Sequence, residues 1–225
     1  MKQSPLQKPI VASSEPITLI GGADIADETL NMCLRVAPSV VAADGGADRL
    51  VVTGIAPLAV IGDMDSLSAQ ARATHRDVIH AVTEQDTTDF EKCLTRITAP
   101  VVLAAGFLGA RLDHTLATLA TLARLRAHHV VLVSDSEVCI LARQGHSRIA
   151  VTPQTRVAVM PLGPATVSSA GLVWDMDAHS LAPDGVVSSS NRAQADHVTL
   201  DVAGPVLITL ERSELPGALD YALGR

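Results

Sequence analysis

Aromatic side chains and lysines are scarce in this chain, and both shortages limit what it can bind. The 225 residues include one Trp, one Tyr and two Phe, and the only lysines are Lys2, Lys8 and Lys92. The formal net charge is −7 and no basic run occurs, which argues against a nucleic acid partner. Any cation that binds phosphate inside the fold is therefore expected to be an arginine. No Gly-Lys-Ser or Gly-Lys-Thr step occurs, which excludes a P-loop.

Long apolar runs and a cysteine framework are also missing. No uninterrupted apolar stretch approaches the roughly 18 residues that a membrane-spanning helix needs. Residues 1–16 lack the apolar core of a secretory signal and are expected to form a flexible leader. Cys33, Cys93 and Cys139 are odd in number and widely spaced, which favours a reducing compartment. The sequence thus predicts a soluble, cytoplasmic protein without a membrane partner.

Strand-like and helix-like segments alternate through the first part of the chain. Apolar runs typical of buried strands occur at 17–20, 40–43, 58–61, 78–82, 101–105 and 130–133. Helical patterns lie between them, at 26–36, from 47, at 88–97 and at 112–128. Repeated βα units predict an N-terminal α/β domain, residues 17–145, with a mostly parallel, doubly wound sheet.

The pattern changes after about residue 145. Short β-type runs separated by Gly and Pro occur at 147–151, 156–160, 198–202 and 206–210, and helix periodicity is absent until 216–223. This spacing predicts a C-terminal all-β sandwich domain, residues 146–225.

Carboxylates follow four of the predicted parallel strands. They occur in the segments 44–46, 62–66, 86–89 and 111–114. In open α/β sheets the carboxyl ends of the strands define the ligand crevice, so these side chains are expected to converge. Two carboxylates about 4 Å apart repel by about 4 kcal/mol at an effective dielectric of about 20, so a cluster must bind a cation or take up protons. Oxygen ligands without His or Cys favour Mg²⁺, Mn²⁺ or Ca²⁺.

Each motif taken singly also has an ordinary structural explanation. Asp63 and Asp65 would point the same way in extended geometry and bracket one cation, but a polar turn explains them equally well. Thr88 or Asp89 would cap the following helix. The loop 106–109 would offer backbone N–H groups to phosphate, with Arg111 beside it, although Gly-x-x-Gly is common. A lone tryptophan such as Trp174 is more often a core residue than a ligand platform.

Six motifs in sequence order resemble the thiamin pyrophosphokinase family over about residues 17–210. They are Asp-Gly-Gly-Ala at 44–47, Gly-Asp-x-Asp-Ser at 62–66, Asp-x-Thr-Asp at 86–89, Gly-x-x-Gly-x-Arg-x-Asp-His at 106–114, Gly-Leu-x-Trp at 171–174 and Ser-x-Ser-Asn at 188–191. The resemblance implies Mg²⁺-dependent transfer of a pyrophosphoryl group from ATP to the hydroxyl of thiamin, giving thiamin diphosphate and AMP. It also implies a homodimer with active sites between the subunits.

The resemblance assigns roles to individual residues. It implies metal ligands at Asp63, Asp65, Asp86 and Asp89, and catalytic roles for Asp44, Asp65, Asp89, Arg111 and Asp113. It implies ATP and phosphate binding by Gly45, Gly46, Thr88, Gly106, Gly109 and Arg111. Thiamin would stack on Trp174 of the partner subunit and contact Ser188, Ser190 and Asn191. Either Asp44 or Asp113 would orient or deprotonate the substrate hydroxyl, and the sequence leaves that choice open.

Two departures from the family pattern and two other functions bear on this interpretation. Thr118 stands where many bacterial relatives have Asn, and Gln85 replaces a Lys, which would weaken affinity for the triphosphate. One alternative is a related pyrophosphokinase that acts on a pterin alcohol. The other is a regulatory module that binds thiamin or nucleotide without turnover. Trp174 favours thiamin as the ligand, and the set of carboxylates favours an enzyme.

Overall fold

The computed structural model describes residues 9–225. The chain divides into two compact units. The units are Met1–Thr121 and Leu122–Arg225, and the division falls within a helix that spans Leu112–Arg124. The first unit is mixed α/β and the second is rich in strands, as the predicted two-domain architecture requires. The predicted boundary between residues 145 and 146 lies further along the chain than this division, at the start of the strand Gly145–Ala150.

The first unit is built on a parallel sheet. Its strands are β1 (Val11–Ala12), β2 (Ile17–Ile20), β3 (Ser39–Ala43), β4 (Ala59–Gly62), β5 (Ile79–Ala81), β6 (Ile97–Thr98) and β7 (Val102–Ala105). Five of them form the parallel order β7-β2-β3-β4-β5. The runs of Val, Ile, Leu and Ala are buried because strands of a parallel sheet are covered on both faces.

Helices connect these strands and set the edge at which a ligand can bind. They are α1 (Asp27–Val36), α2 (Gly46–Thr53), α3 (Ala69–Thr74), α4 (Asp89–Leu94) and α5 (Leu112–Arg124). The chain passes from β2 to β3 on one side, whereas β7 lies on the other side of β2, so the strand order reverses at β2. A Cβ at Gly21 would collide with the carbonyl of Gly106. The loops after β2 and β7 can therefore approach each other this closely only because both positions are glycine. Such a reversal is where open α/β sheets form a ligand crevice.

A small second sheet changes two of the predicted elements. β1 pairs in parallel with β6, and Ile10 N–H donates to the Arg96 carbonyl at 2.9 Å. This pairing differs from the flexible leader predicted for residues 1–16, of which residues 1–8 lie outside the described residues. The helix α4 ends at Leu94, earlier than the predicted helix 88–97, and Ile97 belongs to strand β6 instead.

The second unit contains two antiparallel sheets. Its elements are β8 (Val130–Val133), β9 (Glu137–Leu141), β10 (Gly145–Ala150), β11 (Arg156–Pro161), β12 (Ala165–Ala170), β13 (His179–Leu181), β14 (Ser188–Arg192), β15 (His197–Ala203), β16 (Val206–Glu211) and α6 (Leu215–Leu223). One sheet has the order β14-β11-β16-β9-β8 and the other β10-β15-β12-β13. The helix α6 lies at the predicted position, so this unit is not all-β.

Strand β8 is joined to the next strand of the chain by a short turn. It pairs antiparallel with β9, and Ser134 N–H donates to the Glu137 carbonyl at 2.8 Å within the connecting turn. The connection is too short for a parallel crossover, which needs a dozen residues or more. Among residues 9–225, no helix is long and apolar enough to cross a membrane.

Candidate functional site

A cavity of about 540 Å³ lies in the first unit, at the carboxyl ends of its parallel strands. The loops after β2, β3, β4 and β7 and the helices α4 and α5 all contribute to its wall. The predicted site residues in that wall are Asp44, Gly45, Asp63, Thr88, Asp89, Gly106, Gly109 and Arg111. The convergence predicted from the strand ends is therefore present in the fold.

Three carboxylates form a cluster within this region. Asp44, Asp63 and Asp65 each offer an oxygen, and these oxygens lie within 4.8 Å of one another. Asp44 is buried and has a positive φ of 41°. Gly62 leaves room for it, since a Cβ at Gly62 would lie 2.7 Å from the Asp44 Cβ. The backbone at the ends of β3 and β4 thus brings Asp44 to the other two carboxylates.

Asp63 and Asp65 converge through a turn, not through an extended segment. Met64 between them has a φ of 70°, and Asp65 N–H donates to Asp63 Oδ1 at 3.3 Å. The Arg72 guanidinium donates to the Met64 carbonyl at 2.8 Å and supports this left-handed residue. The expectation of extended geometry is wrong, although both carboxylates belong to the cluster.

Lys92 is a buried cation of this site that the sequence did not single out, and the expected Arg111 lies in the same cavity wall. Its Nζ donates to Asp63 Oδ2 at 2.7 Å and to Asp89 Oδ1 at 3.1 Å, and its side chain is 2 % exposed. Thr88 caps α4 by accepting a hydrogen bond from Glu91 N–H, which fixes Asp89 and Lys92 one turn apart on the same helix. The carboxylates of β4 and α4 are thus joined through one buried ammonium group.

The ionisable groups of the cluster influence one another. Burial raises the pKa of Asp44 to about 6, and the neighbouring Asp89 and Asp63 carboxylates add to this effect. The hydrogen bond from Lys92 lowers the pKa of Asp63. Burial alone would lower the pKa of Lys92, but its hydrogen bonds to Asp63 and Asp89 outweigh that effect and raise the pKa. Lys92 and Asp63 are therefore a charged pair, with Asp44 the carboxyl that most readily holds a proton.

The donor set suits a hard divalent cation. Asp44 Oδ1 is buried, and within residues 9–225 no group donates a hydrogen bond to it. Its other oxygen accepts from Ser66 N–H at 3.4 Å. An uncompensated buried oxygen beside two further carboxylates matches the all-oxygen coordination that Mg²⁺ prefers.

Arg111 and Asp113 form a separate exposed pair. Arg111 lines the cavity and donates from Nε and Nη2 to the two Asp113 oxygens, at 3.2 and 2.6 Å. This hydrogen bonding raises the pKa of Arg111 and lowers the pKa of Asp113. Asp113 itself does not line the cavity, so it contacts the site only through Arg111.

Two other predicted residues do not reach the cavity wall or the carboxylate cluster. Asp86 is exposed in the loop between β5 and α4 and belongs to neither set. Gly46 begins α2 and lies against the Ile20 carbonyl, where no side chain would fit. Its role in this fold is close packing of α2 on the end of β2.

The predicted thiamin-binding residues all lie in the second unit. Trp174 is 61 % exposed, so it is not a core tryptophan. Ser188 is half-buried and Ser190 exposed on β14. Asn191 on the same strand is buried and is hydrogen-bonded to the backbone of Trp174. The two motifs that are far apart in sequence, 171–174 and 188–191, are therefore adjacent.

Sequence reasoning missed several residues of the cavity wall. Besides Lys92, these include Phe90 and Phe107, whose ring centroids are 4.8 Å apart. Phe90 directly follows the motif at 86–89, and Phe107 lies within the loop 106–109. Their closeness to these motifs in the sequence could have indicated that they line the cavity. Thr118, noted as a departure from the family pattern, also lines the cavity.

The parallel α/β unit with a carboxylate cluster at its strand ends places the chain among α/β proteins that bind a ligand at this edge. Two family models match it. The catalytic domain of thiamin pyrophosphokinase matches residues 30–134, and the vitamin B1 binding domain of thiamin pyrophosphokinase matches residues 146–207. Together they span well over half of the chain, which belongs to the thiamin pyrophosphokinase family.

Individual relatives agree with the family match. Thiamine pyrophosphokinase 1 of Oryza sativa subsp. japonica is 26 % identical over 204 residues, 76 % of this chain and 77 % of that protein. Thiamin pyrophosphokinase 1 of Caenorhabditis elegans is 29 % identical over 171 residues, 69 % of this chain and 70 % of that protein. The structure of thiamin pyrophosphokinase from Candida albicans superposes with a TM-score of 0.77 at 17 % identity, covering 94 % of this chain and 95 % of that one. This last similarity shows a shared fold.

Proposed function

We propose that this chain transfers a pyrophosphoryl group from ATP to the hydroxyl of thiamin in a Mg²⁺-dependent reaction that gives thiamin diphosphate and AMP. The observation that carries the proposal is the cluster of Asp44, Asp63 and Asp65, joined to Lys92, in a cavity of the family's catalytic domain. Phosphoryl-group transfer needs mainly positioning and charge stabilisation. The cavity provides fixed charges of both signs for that purpose.

Asp63 and Asp65 would hold Mg²⁺, with Asp44 as a third oxygen donor. The bound ion would neutralise charge on the phosphate oxygens as the pyrophosphoryl group is transferred. Asp89 is paired with Lys92 and lies outside the cluster, so its predicted role as a metal ligand rests on the family resemblance. Asp86 stays a metal ligand only by the family resemblance, and Asp86→Asn tests that role.

The glycines and Arg111 would bind the phosphates. Gly45, Gly106 and Gly109 bring backbone to the cavity wall, and Thr88 exposes the N-terminus of α4 beside them. Arg111 is held by Asp113, which would orient the guanidinium toward a phosphate oxygen.

Of the two candidates for orienting or deprotonating the substrate hydroxyl, we favour Asp44 over Asp113. Asp44 lines the cavity and belongs to the carboxylate cluster, so it would orient a hydroxyl bound beside the metal ion, whereas Asp113 does not line the cavity. The pKa of Asp113 is lowered by its pair with Arg111, which makes Asp113 a weaker base.

Thiamin would stack on the exposed Trp174, supplied by the partner subunit of a homodimer, with Ser188 and Ser190 nearby. The exposed indole supports a platform role. We also infer that the parallel sheet is doubly wound, because its strand order reverses at β2. Three buried cysteines without disulfides favour a cytoplasmic location.

Product analysis by mass spectrometry tests the proposal. The purified protein is incubated with ATP, Mg²⁺ and thiamin, with a pterin alcohol as a parallel acceptor. We expect thiamin diphosphate and AMP in equal amounts, and no product from the pterin. A pyrophosphorylated pterin would change the acceptor, and absence of AMP with both acceptors would contradict catalysis.

A further inference from the structure

The backbone of Trp174 is held by one buried amide side chain. Asn191 is 4 % exposed. Its Oδ1 accepts hydrogen bonds from the N–H groups of Trp174 at 3.1 Å and Arg192 at 2.9 Å, and its Nδ2 donates to the Trp174 carbonyl at 2.7 Å. Both backbone polar groups of Trp174 are therefore bound by the same side chain.

The residues on either side of Trp174 are fixed as well. The Asp175 carboxylate accepts from the N–H groups of Leu172 at 3.0 Å and Gly171 at 3.3 Å. Val173 N–H donates to the Arg192 carbonyl at 2.8 Å. The segment 171–175 is thus anchored along its length, whereas the indole that it carries faces solvent.

We propose that Asn191 is a positioning residue that fixes the backbone of Trp174 and presents the indole as a pre-oriented stacking platform for a flat aromatic cation. This inference rests on the proposed function, in which that cation is thiamin. It replaces the direct thiamin contact that the family resemblance implies for Asn191. The amide oxygen already accepts two hydrogen bonds and the side chain is buried, which leaves little capacity for a ligand.

Pre-orientation explains why such an anchor is useful. An exposed indole on a mobile loop would lose conformational freedom on binding, and that loss would weaken the affinity. An indole whose backbone is already fixed loses less. Asn191 therefore acts on substrate binding more than on the transfer step, and KM is the parameter that should respond to its removal.

Trp174 is the only tryptophan in the chain, so tryptophan fluorescence, excited at wavelengths where tyrosine does not absorb, reports on it alone. In the wild-type protein we expect efficient quenching by acrylamide, because the ring is exposed, together with high residual anisotropy on the nanosecond timescale, because the backbone that carries the ring is fixed. Asn191→Ala should add a fast component to the anisotropy decay. Asn191→Gln keeps both hydrogen-bonding groups on a longer side chain, so it should have an intermediate effect and also covers the case in which the alanine variant does not fold.

Steady-state kinetics supply the second readout. Loss of the Asn191 hydrogen bonds should raise the KM for thiamin about tenfold in Asn191→Ala and leave kcat within about twofold. Ser189→Ala, an exposed neighbour on β14, is the matched control and should keep wild-type anisotropy and KM.

Two results would overturn the inference. One is fast, unrestricted motion of Trp174 in the wild-type protein. The other is a raised KM in Asn191→Ala with unchanged anisotropy, which would make Asn191 a direct thiamin contact. The anisotropy is measured without substrates, so it decides the positioning role even if the product analysis shows that the proposed function is wrong.

Discussion

At the residue scale, Lys92 is the side chain on which the acidic cluster depends. It is the only lysine among residues 9–225 and it is buried between Asp63 and Asp89. Without it, two carboxylates on β4 and α4 would face each other and Asp44 with no resident counter-charge. The sequence did not reveal this role, because a lysine between Glu91 and Cys93 is compatible with an ordinary helix surface.

Replacing Lys92 tests this dependence. Lys92→Met should lower the free energy of unfolding by about 3 kcal/mol, because removing one partner leaves partly buried carboxylates uncompensated. Added Mg²⁺ should restore part of the loss by supplying a cation. Urea unfolding with and without Mg²⁺ measures both effects, and Lys92→Arg is the control that keeps the charge. A wild-type unfolding free energy for Lys92→Met would contradict the role.

Asp44 gives a prediction about pH. Its pKa of about 6 in the folded protein lies above its ordinary value of 3.8, mainly because the carboxyl is buried. The stability that it contributes is therefore complete below about pH 4 and is lost as the pH rises through about 6. Asp44→Asn removes this loss, so its advantage over wild type should grow between pH 4 and 7 to about 3 kcal/mol.

Denaturant unfolding in EDTA across that pH range measures the difference between Asp44→Asn and wild type. EDTA removes divalent cations, which would otherwise stabilise the wild-type carboxylate. An advantage that does not change between pH 4 and 7 would show that Asp44 has an ordinary pKa in the folded protein.

At the element scale, the short helix α4 positions two charged groups of the cavity at once. Thr88 caps it, and Asp89 and Lys92 follow on adjacent turns. Thr88→Ala should lower the free energy of unfolding by about 1 kcal/mol through loss of the cap, whereas Thr88→Ser should keep it. Thermal unfolding of the two variants measures this. Equal melting temperatures for both would show that the cap contributes nothing.

The elements that the sequence predicted are those with a strong apolar pattern. The strands β2, β3, β4 and β7 are continuous apolar runs, and the carboxylates after β3 and β4 were recognisable because strand ends in a parallel sheet share one edge. By contrast, β14 reads Ser-Ser-Ser-Asn-Arg and has no such pattern. It forms because β11 offers it a partner, which only the tertiary structure supplies.

The same limit applies to the site. The convergence of Asp44, Asp63 and Asp65 was predicted from the sequence, although the turn at Met64 that achieves it was not. The anchor between Asn191 and Trp174 joins residues 17 positions apart. A hydrogen bond from a buried side chain to a distant backbone leaves no periodic trace in a sequence.

At the scale of the whole molecule, net charge makes a divalent cation necessary for the proposed reaction. The chain carries a formal charge of −7 and three carboxylates meet in the cluster beside the cavity. ATP without a metal ion would be repelled by this field. A divalent cation bound at the cluster would neutralise most of the local negative charge, and Lys92 and Arg111 would add to that effect.

The most direct test of this account is the rate of thiamin-dependent AMP formation from ATP in the wild-type protein and in Asp65→Asn. We expect AMP and thiamin diphosphate to form in equal amounts only when Mg²⁺ is present, with a loss of kcat of about 100-fold or more in Asp65→Asn. Asp77→Asn, an equally conservative change at an exposed position of the same unit, should keep the wild-type rate. Near-normal AMP formation by a folded Asp65→Asn protein would contradict the assignment of the carboxylate cluster as the site of transfer.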